Sequence, residues 1–380
     1  MPHNPNKVTE RLFQSPSKYI QGPSAFHNAA KYLEPLGKAP LLTCDAIVYK
    51  IAGKQLIDSL QAANLKVTYA EFGGEITTPE ISRLQKIAQD NTSDFIIGVG
   101  GGKTLDCVKA IAAALQVPVA SLPTIAATDA PCSAVSVVYT PEGHFDHYKF
   151  LKNPDIVLLD TSVIAQAPAR FLAAGMGDAI ATHVEAKTCR QSVNPGGGLP
   201  AELSTAIGEK CEETLFKYGK LAYEANKLKA VTPAFEAVVE ANTLLSGLGF
   251  ESGGVAAAHS IHNGFTAIEA LHALLHGEKV AFGTIAQLVL TNSPTAELDR
   301  YISFMLSVDL PVTFEQMGIP NVTNDELRLV AKFATAPGET IWSMDISDKV
   351  NEEAVFWAIK GADAAGREFI RRTGWTKARV

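Results

Sequence analysis

The sequence predicts a chain of two parts, an α/β domain built on a parallel sheet over residues 1–164 and an all-helical domain over residues 165–380. Three observations carry this. A length of 380 residues exceeds one compact core at ordinary domain sizes and favours two. From Ser24 to around Asp160, helical periodicity alternates with short β-branched or apolar runs, the pattern of strands joined by helical crossovers. Beyond Ala165, apolar residues recur at three- and four-residue spacing and no convincing strand is visible, so the boundary falls near residues 162–168.

Taken in order, the strand-like runs are residues 40–43, 66–70, 94–99, 117–122 and 156–159. Helical stretches at 55–63 and 80–90 separate them, the second opened by Thr78 as N-cap and Pro79 as first helical residue. Two extended runs, 134–140 and 144–150, flank Pro141-Glu142-Gly143 and read as a hairpin. Residues 110–128 carry no formal charge, but Pro118 and Pro123 would break a membrane-spanning helix, so the stretch reads as helix, turn and buried strand. In the second half, Asn194-Pro195-Gly196-Gly197-Gly198 must be a loop. Thr232-Pro233 opens a helix over 234–245, and Thr323 with Glu326 forms a capping-box pattern ahead of 327–334. A helix over 352–372 closes the chain.

Composition narrows the function classes. With 47% hydrophobic and 19% charged residues the chain has ample apolar surface to bury, which excludes a disordered scaffold. Lys+Arg 33 against Asp+Glu 40 gives a net charge of −7, which argues against nucleic acid or an anionic membrane as partner and for a small molecule. Cys44, Cys107, Cys132, Cys189 and Cys211 are an odd number without a CxxC pair, so neither a disulfide framework nor a thiolate zinc site is indicated. Residues 1–17 are polar and hold Pro2, Pro5 and Pro16, unlike a secretory signal, and the expected location is the cytoplasm.

The most informative stretch runs from Ile96 through Gly100-Gly101-Gly102 to Lys103-Thr104-Leu105-Asp106, a strand entering glycines and then a helix. Glycines let the backbone approach an anion, and a helix start presents unpaired N–H groups to it. The stretch is neither a P-loop nor a GxGxxG match; the plainer alternative is a tight turn that uses glycine to fit. A second stretch, residues 122–133, follows the next strand and so lies at the same carboxyl edge, where open α/β sheets bind ligands. Its Thr124, Thr128, Asp129 and Ser133 suit a polar ligand, and equally a turn that caps itself.

Of nine histidines, His259, His262, His272 and His276 fall close together in the helical half. His259 and His262 at i, i+3, and His272 and His276 at i, i+4, can each share a helix face. Imidazoles are common ligands of divalent metals, and an acid joins two of them when one position stays open to substrate. Asp178, framed by Gly175 and Gly177, is the nearest such acid. There is no HExxH for a metalloprotease, no GxSxG frame at Ser252 and no histidine beside a cysteine, so hydrolase readings lack support.

Together these residues resemble one family, the metal-dependent glycerol dehydrogenases of the iron-containing alcohol dehydrogenase superfamily. The likeness runs from Ser15-Pro16-Ser17-Lys18-Tyr19-Ile20-Gln21-Gly22 through Phe72-Gly73-Gly74-Glu75, the Gly100 to Asp106 stretch, Pro123 to Ser133 and Gly249-Phe250-Glu251-Ser252-Gly253-Gly254 to His276-Gly277-Glu278-Lys279. It implies a dehydroquinate-synthase-like fold, with a Rossmann-like nucleotide-binding domain, a helical metal-binding domain and the active site in the cleft between them. It also implies zinc held by Asp178, His259 and His276, with His262 and His272 as outer or cleft residues. The implied NAD contacts are Asp45, Gly100, Gly101, Gly102, Lys103, Thr104, Leu105, Asp106, Thr124, Ile125, Ala126, Ala127, Ser133, Val135 and Tyr139. Asp129 would reach the substrate hydroxyl.

The expected activity is NAD-dependent oxidation of glycerol to dihydroxyacetone, and of related vicinal diols such as 1,2-propanediol, in a homo-oligomer that is an octamer in the family. A zinc-bound alcohol would lose its proton near neutral pH and pass a hydride to the nicotinamide. Asp45 would accept ribose hydroxyls and repel a 2′-phosphate, favouring NAD over NADP. A dehydroquinate-synthase-type lyase would need more basic residues near the metal motifs than Lys187, Arg190 and Lys279, and a non-catalytic nucleotide binder would need neither metal ligands nor Asp129.

Overall fold

The computed structural model describes residues 8–141 and 145–376. The first half holds the strands β1 (Arg11–Leu12), β2 (Lys18–Gly22), β3 (Pro40–Cys44), β4 (Thr68–Glu71), β5 (Phe95–Gly100), β6 (Val119–Pro123), β7 (Val135–Tyr139), β8 (Phe145–Phe150) and β9 (Ile156–Asp160). Between them run α1 (Ala29–Leu33), α2 (Ala46–Val48), α3 (Lys54–Ala62), α4 (Thr78–Asp90) and α5 (Gly102–Leu115). Six strands form one parallel sheet in the order β2-β9-β6-β5-β3-β4. Successive residues of a strand face opposite sides. Leu42, Ile97, Leu122 and Leu158 therefore pack on α1 and α3, whereas Leu41, Ile96 and Val119 pack on α4 and α5.

The chain leaves β3 for β4 on one side and returns to β5 on the other, so the strand order reverses between β3 and β5. Open α/β sheets bind ligands outside the carboxyl ends of the strands at such a reversal, and here Asp45 and Gly100 stand at those ends. Outside the sheet, β7 and β8 form an antiparallel hairpin, shifted in register at Val138/Tyr139. The turn expected at Glu142-Gly143 lies outside the described residues.

The second half is helical: α6 (Thr161–Gln166), α7 (Ala169–Ala186), α8 (Glu202–Lys227), α9 (Pro233–Glu240), α10 (Ser246–Gly253), α11 (Ala257–Phe265), α12 (His276–Leu290), α13 (Thr295–Ser307), α14 (Asn324–Ala334) and α15 (Glu352–Thr373). One large core joins them, with Phe235, Phe265, Phe282, Tyr301 and Phe356 fully buried, and it reaches Val157 and Leu159 of the sheet. Among the described residues no helix is long and apolar enough to cross a membrane.

Four details depart from the sequence reading. β2 was not expected, because an edge strand exposes one side and shows no apolar run; it nevertheless pairs with β9 along its length. A strand also exists beyond Ala165: Leu199–Pro200, here β10, pairs with β1 for two residues, too short to leave a pattern. Thr77, not Thr78, caps α4, accepting from Glu80 N. The stretch from Pro233 continues past Glu240 as a π turn, Ala241–Leu245, rather than as regular helix.

Candidate active site

α7 carries two buried acids on one face, Asp178 and Glu185, two turns apart. α11 brings His259 and α12 brings His276, its first residue, to the same acid. His276 Nε2 is 3.1 Å and His259 Nε2 is 3.3 Å from Asp178 Oδ1. One ligand atom from each of the three residues can be chosen so that all lie within 4.8 Å of one another.

The approach depends on glycine. A Cβ on Gly277 would stand 1.8 Å from Ala174 O, and one on Gly177 would stand 2.3 Å from Gly277 O, so α12 and α7 meet backbone to backbone.

The outer nitrogens are held as well. His259 Nδ1 meets Glu185 Oε2 at 2.6 Å, while Glu185 Oε1 accepts from Ala256 N and His259 N. His276 Nδ1 meets His262 Nε2 at 3.0 Å. The inner Nε2 atoms are thereby turned toward one carboxylate oxygen.

Electrostatics follow the packing. Burial works to raise the Asp178 carboxyl, but the charge of His276 and the hydrogen bonds from both imidazoles outweigh it and hold the group well below the carboxylate range. Burial works against a charged His259, yet Glu185 and Asp178 keep its pKa well above the ordinary value. His262 moves the other way, driven down by burial and then by His276 and Lys279. Asp129 is pushed up by burial and by the neighbouring Asp178 charge. Its N–H donates to Asp178 Oδ2 at 3.4 Å, and its Oδ2 accepts from Ser246 Oγ at 2.6 Å.

At the sheet edge, Gly100 takes a φ of +151°, open to glycine at little cost, and its carbonyl accepts from Thr124 N. α5 then begins at Gly102 with no side chain capping its first amides. Beside that start, Lys103 pairs with Glu75 and lies 5.5 Å over the Tyr139 ring. Asp45 caps α2 through Oδ1, accepting from Ile47 N and Val48 N. The loop after β6 spans from this edge to Asp178, His259 and His276: Ala126 O accepts from Asn242 Nδ2, and Asp129 reaches Asp178.

The chain is similar to known proteins over nearly its whole length. Residues 16–161 match the family model of iron-containing alcohol dehydrogenases. A glycerol dehydrogenase of Escherichia coli O6:H1 is 47% identical over 365 residues, 95% of this chain and 99% of that one. A glycolaldehyde reductase of Halobacterium salinarum is 43% identical over 94% of this chain and 98% of its own. The crystal structure of glycerol dehydrogenase from Schizosaccharomyces pombe superposes with a TM-score of 0.94 at 43% identity, covering 97% of this chain and 94% of that one. The chain belongs to the iron-containing alcohol dehydrogenase family, in its glycerol dehydrogenase group. It is an oxidoreductase of that family.

Within the family frame, the fold brings Asp178, His259 and His276 together, with Asp129 beside them. It gathers Asp45, Gly100 to Lys103 and Thr124 to Ala127 along the carboxyl edge. Thr104 packs beside Gly100, its Oγ1 3.0 Å from where a Cβ would stand, and Ile125 lies over Gly101.

Several of the other expected contacts also bond or pack within the chain. Leu105 is fully buried in packing. The Asp106 carboxylate is occupied by Val137 N and Lys109. Ser133 and Val135 are bound by Lys109. His272 does not share a helix with His276: it follows a short 3-10 turn as its C-cap and its Nε2 meets Thr266 O, with the residue exposed.

Sequence reasoning missed Glu185. Its seven-residue spacing from Asp178 on a helical pattern was the available signal, since that spacing returns to the same face.

Proposed function

We propose that this enzyme oxidises glycerol to dihydroxyacetone, and related vicinal diols such as 1,2-propanediol, with NAD as hydride acceptor and zinc held by Asp178, His259 and His276. One observation carries the reading: an acid and two imidazoles converge, with a second carboxylate, Asp129, bonded through its own N–H to the first.

The residues fit a divalent metal, because one buried carboxylate and two Nε2 atoms share a small space and both outer Nδ1 atoms are already held. Zinc bound there acts as a Lewis acid that lowers the pKa of an alcohol sharing the site.

What the chain itself does is position and exclude. Glu185 and His262 fix the two ring orientations. Asp129, oriented by Ser246, offers a carboxylate oxygen to the hydroxyl that a diol has and a monoalcohol lacks. The relatives named for glycerol and for glycolaldehyde share that second oxygen on the neighbouring carbon, which supports the same substrate class. Gly100 to Gly102 and the start of α5 offer backbone N–H groups to the cofactor's diphosphate, and Asp45, at the end of β3, stands to receive ribose hydroxyls.

A cytoplasmic location is supported by five free, buried cysteines. Assembly into a homo-oligomer belongs to the same reading, supported by large apolar side chains left exposed, among them Leu221, Leu228, Phe333 and Trp357.

The test is NADH formation by zinc-loaded protein offered 1,2-propanediol, glycerol and 1-propanol. A site built for the second hydroxyl discriminates by up to ~10⁴ when the hydroxyl is missing. Asp129→Ala should lose most of that preference while keeping its metal. Equal kcat/KM for 1-propanol and 1,2-propanediol in the unmodified enzyme would refute the substrate assignment.

A further inference from the structure

We infer that Lys109 is a positioning residue for the substrate-facing Asp129 and for the neighbouring cofactor segment, acting through the backbone carbonyls of residues 130–135. This rests on the diol-oxidising reading above and extends it to a residue outside the metal and the glycine turn.

Lys109 lies in the middle of α5 and is 1% exposed, a rare setting for an ammonium. A simple buried ion pair with Asp106, at 2.8 Å, would account for its charge. It does not account for the remaining neighbours. The ammonium donates to Ala130 O at 3.0 Å, to Ser133 O at 3.2 Å, to Ser133 Oγ at 3.4 Å and to Val135 O.

All four acceptors belong to one segment, which leaves Asp129 and enters β7. Residues 124–134 form no helix or strand, and among the described residues no backbone N–H donates to Ala130 O or Ser133 O. One point charge collects them instead.

The same segment is gripped from the helical half. Glu251 on α10 accepts from Ala134 N at 2.6 Å and from Asn153 Nδ2, which also donates to Cys132 O. Ser246, on the same helix, bonds the Asp129 carboxylate. The segment is thus stretched between a buried cation on the sheet side and α10 on the other. Releasing the cation removes a donor from three carbonyls, Ala130 O keeping only the 3.4 Å bond from Ser133 Oγ, and the backbone must turn to satisfy them, carrying Asp129 away from Asp178 and Ser246.

The test separates this role from plain stability. Replacing both partners of a buried ion pair by apolar residues of similar volume is often neutral for folding, whereas removing one strands the other. The Asp106→Leu/Lys109→Met double variant loses the ion pair without stranding a charge, at the cost of the acceptor for Val137 N; folded and holding zinc, it should show a kcat/KM preference for 1,2-propanediol over 1-propanol reduced by about tenfold or more, with a raised KM for the diol. Asp106→Asn/Lys109→Gln removes the charges but keeps two donors and a similar shape; it carries the test should the apolar pair fail to fold, with the same loss expected in smaller degree. A folded double variant that keeps the full preference and the diol KM would overturn the inference. An unmodified enzyme with no diol preference would instead refute the substrate assignment. The NADH dissociation constant, read by fluorescence, then still tests the segment: weakening in the double variants supports the role of Lys109, and an unchanged value overturns it.

Discussion

Replacing Glu185 by glutamine tests whether the outer hydrogen bond decides which nitrogen of His259 can serve as a ligand. The carboxylate accepts from Ala256 N at 2.9 Å and His259 N at 3.0 Å, and meets His259 Nδ1 at 2.6 Å. An ionised carboxylate only accepts, so Nδ1 keeps its proton and Nε2 offers its lone pair when a metal is present. Glutamine retains one oxygen for the two backbone donors and turns its NH₂ on Nδ1, which must then accept. The ring proton moves to Nε2 and closes the ligand position. Losing such an outer partner costs about 10–100-fold in metal affinity, or about 1.4–2.7 kcal/mol at 1.36 kcal/mol per tenfold. Folding should change by less than about 1 kcal/mol, because both backbone donors keep an acceptor; Glu185→Ala, by contrast, orphans two buried N–H groups at about 1–3 kcal/mol each. Zinc competition against a chelator of known affinity measures the first quantity, and urea unfolding the second. A folded Glu185→Gln protein that binds zinc as tightly as the unmodified enzyme would refute the reasoning.

Three other outcomes follow from the same geometry. In the metal-free chain His259 is held above its ordinary pKa of 6.5, so its stabilisation is complete below that value and is lost as pH rises through the folded pKa. Asp178 is held below 3.8, so its share is present above that pH and is lost on acidification through the folded pKa. Melting of metal-free protein should accordingly fall as pH is raised above the histidine range, and zinc loading should release protons into weakly buffered solution; a flat melting profile with no release would contradict this. Gly277→Ala places a methyl 1.8 Å from Ala174 O, so it should destabilise the fold by about 1–3 kcal/mol and weaken zinc binding, as urea unfolding and chelator competition would show. Asp45→Asn keeps an oxygen to cap α2 but removes the charge proposed to meet the cofactor's ribose, so kcat/KM with NADP should rise relative to NAD without a change in melting temperature; an unaltered cofactor ratio would remove Asp45 from the specificity role.

The sequence by itself determined the alternation of strands and helices up to Asp160, the helical second half, the glycine turn at Gly100 to Gly102 and the Thr323–Glu326 capping box, because each is written in periodicity or in side chains that bond a few residues away. It also concentrated the candidate ligands. Spacing alone left four histidines open, and only the resemblance to a family singled out His259 and His276.

Tertiary structure decided the rest. It turned His272 to Thr266 O and His262 to His276, and it gave Glu185 its hold on His259. It also made β2 a strand through pairing with β9, and Lys109 the collector of three carbonyls. These outcomes depend on partners far apart in the chain, 98 residues for His276 with Asp178 and 74 for His259 with Glu185. Local preference reports only neighbours within a turn or two of helix. The positions of distant partners are fixed by how closely two backbones can pack, and here that distance is set where α7 and α12 meet at Gly177 and Gly277.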